Sequence, residues 1–461
     1  MRSRRIGVLC VVGLALATAG IAIRAHNAFR YPIVYGFDSR ANWRYIERLT
    51  QSWALPAPDA DWSTAHPPLF YYASAALCRA LGRPEKHDAV VLIRLISTLL
   101  GLLAVGLAVA LVRRADPDDP RRALLAGALL LFLPAHIYVS AMLHEELLVS
   151  SLASLVVVGV AWDLMSPERP RRALLRAALW GLAGGLALLT KLTGLLVILA
   201  AAGAYALDGW RRRDARLAAG RVAVLLAVAL VVGGWYYARN RVEYGYFYPY
   251  GLKTHRIMLS YPPGERRLGD YLRVPFATWT DPYALSPDLL RSVWGTTYIS
   301  IWFDGHRHFL PTVRGAVNRA GTVILLLALL PTAAFFRGLG RGVMRAVESP
   351  RGPDPPLLLL VALTLAGYVV FSWRNPWFAV LKGSFLLGLS VPFAFYASEG
   401  LRWWARGSRA RATAIGVWMG VLFLAVAAVF TQGVVFQKTD PPGFSWEREP
   451  RLVPPTADQK P

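Results

Sequence analysis

Apolar stretches of about twenty residues recur along most of this chain, and short clusters of arginine stand between them. As a helix, a run of that length crosses the ~30 Å hydrocarbon layer of a bilayer. With 55% hydrophobic residues and a mean hydropathy of +0.39, the pattern predicts an all-α polytopic membrane protein, with membrane lipids as constant partners. The net charge of +23 would suit a nucleic-acid partner, but its placement argues against one. Arg113, Arg114, Arg121 and Arg122 form one cluster, and Arg169, Arg171, Arg172 and Arg176 the next. Arg211 to Arg213, then Arg337, Arg341 and Arg345, then Arg402, Arg406, Arg409 and Arg411 follow. Clusters that alternate with apolar runs mark the cytoplasmic ends of spans by the positive-inside bias.

Parity then sets the topology. Residues 6–23 read as a retained first span, too long for a signal-peptide core, that leaves the bilayer near Arg24. An outer loop (24–88) follows, and spans are expected at 89–111, 123–141 and 146–163. Residues 173–209 lie between two arginine clusters and must cross an even number of times, with a tight outer turn at Thr190-Lys191-Leu192-Thr193-Gly194. Further spans at 222–237, 320–336, 357–373, 381–396 and 412–434 bring the total to about eleven. The organisation expected is a module over 1–250, a long outer loop over 238–318, C-terminal spans over 319–434, and an outer, poorly ordered tail over 435–461. An inner loop is expected over 337–356. Cys10 and Cys78 have neither disulfide nor metal-ligand spacing.

The same parity gathers the chemically capable residues on the outer face. Asp38 follows the first span and opens a helix over 39–50, with Trp43 and Tyr45 as interfacial anchors. It reads as an N-cap, or as a general base or metal-orienting carboxylate at the interface. His66-Pro67-Pro68 and Phe70-Tyr71-Tyr72 read as a proline-led helix start, or as a stiff aromatic wall for a sugar ring or lipid phosphate. Glu145 and Glu146 suit a helix N-terminus; beside His144, and with Asp38, they could also bind a divalent cation or share acid–base work. Lys191 interrupts an apolar run and reads as a snorkelling lysine or as a functional residue, while Arg239, which adjoins an aromatic belt, and Lys382, which precedes Gly383, are candidate phosphate contacts. Asp304-Gly305-His306-Arg307-His308 has metal-like residue types but an unspecific spacing.

In this order, these residues resemble the GT-C superfold of membrane glycosyltransferases. Within it the chain is most similar to bacterial relatives of protein O-mannosyltransferase and lipid A aminoarabinose transferase, the RgtA/B/C/D-like, glycosyltransferase family 39-like group. The marks are Asp38 after span one, H66-P-P-L-F-Y-Y72, Glu145/Glu146, G184-G-L-A-L-L-T-K191, R239-N-x-x-x-Y-G245 and K382-G-S-F-L-L followed by E399-G-L401. The resemblance implies a GT-C-type bundle with interfacial helices in the first outer loop. It implies an inverting transfer from a polyprenyl-phosphate-linked sugar donor to a lipid, polysaccharide or protein acceptor, at the outer face of the inner (plasma) membrane. Asp38 would be the base, Glu145 or Glu146 its second carboxylate, and Lys191, Arg239 and Lys382 phosphate contacts, with His66 and Tyr71 lining the substrate. The aminoarabinose transferases carry lysine where His66 stands, and Ser39 replaces a second acid after Asp38. No cofactor is required by these residues, although they admit a divalent cation. A transporter or flippase would instead scatter ionisable residues through the membrane midplane and pair broken helices in two halves. A relative that binds lipid-linked sugars without turnover is the other alternative.

Overall fold

The computed structural model describes residues 2–166, 170–249, 261–348 and 351–440. The chain opens with α1 (Arg2–Arg30), followed by α2 (Ser39–Ser52), a 3-10 turn at Trp62–Ala65, and α3 (Leu69–Ala80). Then come α4 (Lys86–Ala115), α5 (Pro120–Leu131), α6 (Pro134–Ser140), α7 (Glu146–Met165), α8 (Pro170–Thr190) and α9 (Gly194–Arg212). The next helix, α10 (Ala215–Ala229), continues through a π-turn at Leu230–Gly234 into α11 (Trp235–Tyr244). After a long connection the chain forms α12 (Val293–Trp302), α13 (Gly315–Glu348), α14 (Asp354–Arg374), α15 (Ser390–Ala405) and α16 (Arg409–Val429). No strand occurs among the described residues beyond an isolated bridge between Pro263 and Trp377.

This is a multi-pass membrane protein. Nine helical segments among the described residues are long and apolar enough to cross a bilayer, and the pair α5–α6, bent by 50°, makes a tenth. The expected total of about eleven also counted α9. Its closing turns carry Asp208, Arg211 and Arg212, and it packs against α7, α8, α10 and α14.

Two expected boundaries are corrected by charge pairing. The first helix does not end at Arg24 but runs on to Arg30. Arg24 is fully buried, and its guanidinium donates to the Leu131 and Leu130 carbonyls at 2.7 and 3.1 Å. Those carbonyls sit at the C-terminal end of α5, where Pro134 restarts the chain and the helix leaves acceptors without backbone partners. Arg94 does the same for the end of α1, donating to the Tyr31 and Pro32 carbonyls at 2.7 and 3.0 Å. The second correction is α13, which extends to Glu348 through the expected inner loop. Arg341 and Arg345 recur at helical spacing there and meet Glu399 on α15, and Arg345 also meets Asp354 at the start of α14. Close packing of α13 on α15 needs glycine: a Cβ on Gly338 would lie 2.0 Å from the Tyr396 carbonyl oxygen, and one on Gly400 2.1 Å from that of Ala334.

The first loop is a small packed unit. Trp43, Tyr45, Ile46 and Leu49 form the buried face of α2, and the Tyr45 ring stacks on Tyr71 at 4.1 Å. The expected anchoring of Trp43 and Tyr45 in the membrane interface is therefore overturned, because both are covered by α3 and the start of α4. At the other end of the chain, Gln432 accepts no freedom: its backbone N–H donates to Asn27 and its amide to the Phe309 carbonyl. Lys438 donates to the Leu310 carbonyl at 3.2 Å. Residues 431–440 thus return over the end of α1, while the remainder of the expected tail, and 250–260 of the long loop, lie outside the described residues.

The bundle has two poles. One is the arginine pole, where Arg122, Arg341, Arg345 and Arg402 pair with Glu399, Asp354 and Asp119. The other gathers the ends of α1, α8, α10–α11 and α16 and the starts of α4 and α7. Arg24→Leu is expected to destabilise the protein by about 2–4 kcal/mol by stranding the α5 carbonyls, measured as the apparent thermal midpoint in detergent. An unchanged midpoint would show that other donors already satisfy them.

Candidate active site

The turn Tyr35-Gly36-Phe37-Asp38 aims the first carboxylate. Gly36 has φ of 128°, and a Cβ there would fall 2.3 Å from Ser39 Oγ. Asp38 itself sits in the left-handed region at φ 55°, a conformation that costs a non-glycine residue of order 1 kcal/mol or more. Its backbone carbonyl receives the Asn42 N–H at 2.8 Å, but its side chain makes no capping bond. The carboxylate turns away instead: Oδ1 accepts the Trp62 indole N–H at 2.9 Å, and Oδ2 lies 3.6 Å from Lys382 Nζ. The N-cap reading is thereby excluded for the side chain, which keeps 27% of its surface accessible.

The other two carboxylates are held differently. Glu145 and Glu146 open α7, and the turn between α8 and α9 inserts the Lys191 ammonium between them. Lys191 Nζ lies 2.9 Å from Glu145 Oε1 and also hydrogen-bonds Glu146 Oε1. Glu145 is wholly inaccessible and Glu146 nearly so. His144 Nδ1 accepts the Glu146 backbone N–H at 3.3 Å, and lies 3.3 Å from Glu145 Oε2.

Behind them runs a hydrogen-bond chain fixing the first loop. His66 Nδ1 gives its proton to the Tyr71 hydroxyl at 2.9 Å, and Tyr71 donates to Asn42 Oδ1 at 3.0 Å. Asn42 in turn donates to the Leu143 carbonyl at 2.8 Å, directly before His144. A helix does start here, but Pro68 stands at the N-cap of α3, one residue ahead of the first-turn position expected for proline, and Phe70 and Tyr71 are core residues rather than an open aromatic wall. Tyr236 on α11 reaches the carbonyls of Ala65 and His66, at 3.2 and 3.3 Å.

Lys382 lies over the Phe37 ring at 4.4 Å, and the chain then continues through a 3-10 segment at Gly383–Leu389. Gly383, Leu386 and Leu387 of that segment line an apolar cavity of about 520 Å³, together with Trp294, Tyr298 and Phe335. Two residues weighed only as an unspecific metal motif join this group. The rings of His306 and His308 contact Phe37 edge-on, and His306 Nε2 bonds the Leu381 carbonyl at 3.0 Å. Asp304 is not available to a metal with them, because it accepts the backbone N–H groups of His308, Phe309 and Leu310. The signal for these histidines was the parity that put their loop on the outer face. Arg239 stands apart from the carboxylates: its partners are Glu243 at 2.9 Å and the Tyr244 hydroxyl at 3.1 Å, both on α11.

The electrostatics follow from these distances. Burial raises the Asp38 carboxyl, but Lys382, then His144 and His66, outweigh it and hold it at about 2. Burial in turn pushes His144 down to about 4 and lowers His66, so both are neutral at pH 7. Lys382 is then the standing charge that keeps Asp38 ionised. For Glu145, burial is outweighed by His144, Lys191 and His66, which hold it well below the usual range. Burial opposes the Lys191 charge, yet the two glutamates raise it above its ordinary value.

Residues 75–243 match the family model of dolichyl-phosphate-mannose-protein mannosyltransferase. No curated protein matches the sequence. Among solved structures the chain is similar to ArnT from Cupriavidus metallidurans bound to undecaprenyl phosphate, with a TM-score of 0.55 at 16% identity, over 92% of this chain and 64% of that one. It is similar to the oligosaccharyltransferase AglB from Archaeoglobus fulgidus in complex with an inhibitory peptide and a dolichol-phosphate, with a TM-score of 0.53 at 13% identity, over 93% and 56%. The Archaeoglobus fulgidus oligosaccharyltransferase in complex with zinc and sulfate gives 0.51 at 15% identity, over 92% and 53%. The chain thus spans under two thirds of the length of each.

Buried His144 and half-buried His306 make stability fall on acidification. In the unfolded chain they take up protons near 6.5, but His144 and His306 do so only near 4 when folded. Between those values the unfolded state binds more protons, so stability declines as pH drops from 6.5 towards 4. The apparent thermal midpoint in detergent is expected to fall by roughly 5 °C between pH 7 and pH 5. A constant midpoint over that range would show these rings to be solvated.

Proposed function

We propose, on the premise that this chain has the fold of the GT-C membrane glycosyltransferases, that it transfers a sugar from a polyprenyl-phosphate-linked donor to an acceptor hydroxyl. The observation that carries this reading is the meeting of three environments within a few residues. An ionised, partly exposed carboxylate faces an ammonium group, Asp38 to Lys382, and the next residue, Gly383, lines a large apolar cavity. A lipid-linked sugar phosphate needs all three: apolar room for its prenyl tail, a cation for its phosphate and a base beside its anomeric carbon.

Asp38 takes the proton of the acceptor hydroxyl, whose oxygen attacks the anomeric carbon as the bond from that carbon to the phosphate oxygen breaks. The electron pair leaves on the polyprenyl phosphate, where Lys382 stabilises the added charge. A single displacement of this kind inverts the anomeric configuration. The Trp62 indole N–H orients the Asp38 carboxylate. Glu145 and Glu146, enclosed by Lys191 and His144, set the charge behind it and do not meet the acceptor. His66 and Tyr71 hold the first loop in register through Asn42. Lys191 is bound by two glutamates, whereas Lys382, although 3.6 Å from Asp38, adjoins the cavity-lining Gly383 and serves as the principal phosphate contact; Arg239, held by Glu243 through Nε, keeps a buried Nη1 without a partner and is a second cation for it. The arginine pole would face the cytoplasm and the Asp38 pole the exterior of the inner membrane, with a lipid, polysaccharide or protein as acceptor.

Envelope glycans and lipids from cells with and without the protein, compared by mass spectrometry, should differ by one sugar. Asp38→Asn is expected to lower the transfer rate about 10²–10⁴-fold with the fold retained; near-full transfer would remove Asp38 as the base. Lys382→Met should raise the Asp38 pKa, since burial then acts with less opposition. An acid limb absent from the wild-type rate profile should therefore enter the measurable pH range in this variant. Superimposable acid limbs would dissociate Lys382 from the base.

A further inference from the structure

We infer that Lys191 is a built-in cation standing where a divalent metal would otherwise bind, so that the wild-type site takes up no metal. The inference rests on the transferase reading for its purpose but not for its test. His144, Glu145 and Glu146 offer ligand atoms all within 4.8 Å of one another, a donor set suited to a divalent ion. A protein of similar fold has been solved with zinc. The residues present here nonetheless do not fit a metal. The Lys191 ammonium already bonds one oxygen of each glutamate, and His144 Nδ1 is engaged by the Glu146 backbone N–H. A dication placed among these atoms would meet the Lys191 ammonium at contact distance, between two glutamates that are almost wholly withdrawn from water.

The lysine projects from a fixed stretch of backbone. It is delivered by a tight turn in which a Cβ on Gly194 would lie 2.3 Å from the Ala187 backbone, so α8 and α9 meet almost without a gap. Its ammonium also lies 5.0 Å from the Phe385 ring centroid, and Lys382 approaches the same ring at 5.8 Å. Lys191 is therefore a positioning residue. It offsets one charge of the glutamate pair and ties α7 to the segment that carries Lys382, leaving Asp38 as the carboxylate that faces the substrate.

The test uses chelator-treated full-length protein in detergent, with Mn²⁺ binding read by electron paramagnetic resonance and stability by the apparent thermal midpoint. Wild type should bind no stoichiometric Mn²⁺ and keep its midpoint in chelator. Lys191→Ala should lower the midpoint, bind one Mn²⁺ at least tenfold more tightly than wild type, and recover stability on Mn²⁺ addition. That gained site should vanish in Lys191→Ala combined with Glu146→Gln. One Mn²⁺ bound by wild type and lost in Glu145→Gln would overturn the proposal, whether or not Lys191→Ala folds. So would a folded Lys191→Ala that gains no site. Neither readout involves transfer, so failure here is distinct from failure of the enzymatic assignment.

Discussion

Charges and backbone dipoles withdrawn from water must find partners, and in this chain the partners come from far along the sequence. Arg24 closes the broken end of α5, Arg94 closes the end of α1, and Lys191 joins the start of α7 to the α8–α9 turn. Within a bilayer an unmet carbonyl or ammonium costs several kcal/mol. Each of these contacts thereby fixes the relative height and rotation of two helices. The break between α5 and α6 is tolerated because Arg24 supplies the donors that the missing helical turn would have supplied.

The two poles use the same rule for different ends. At the arginine pole, Glu399 is shared by Arg122, Arg341 and Arg345, so that α5, α13 and α15 are locked together. At the opposite pole the pairing is deliberately incomplete. Glu145 and Glu146 are fully enclosed, but Asp38 and Lys382 face each other at 3.6 Å with part of the carboxylate accessible. On the proposed reading, a pair held that loosely is the one that opens to the donor phosphate and the acceptor hydroxyl, while the trio behind it stays paired. The left-handed backbone at Asp38 belongs to this arrangement, since a relaxed N-cap would turn the carboxylate back onto its own helix.

Hydropathy runs and arginine clusters are local properties, and the sequence by itself determined what depends on them: an all-helical bundle, most of its spans, and the convergence of Asp38, Glu145, Glu146, His66, Lys191 and Lys382 at one pole. It even located the turn at Lys191, because an even number of crossings between two arginine clusters left nowhere else for one. Tertiary structure alone decided which group meets which. The Asp38 side chain forsakes its helix for Trp62 and Lys382, Tyr71 and Trp43 go into the core, His306 and His308 join the site, and Arg239 is taken up by Glu243. It also decided that α1 outlasts Arg24 and that α13 consumes the loop after Arg337. These choices turn on contacts between residues tens to hundreds of positions apart, where the energy of burying a charge outweighs any local preference, and no periodicity in the chain records them.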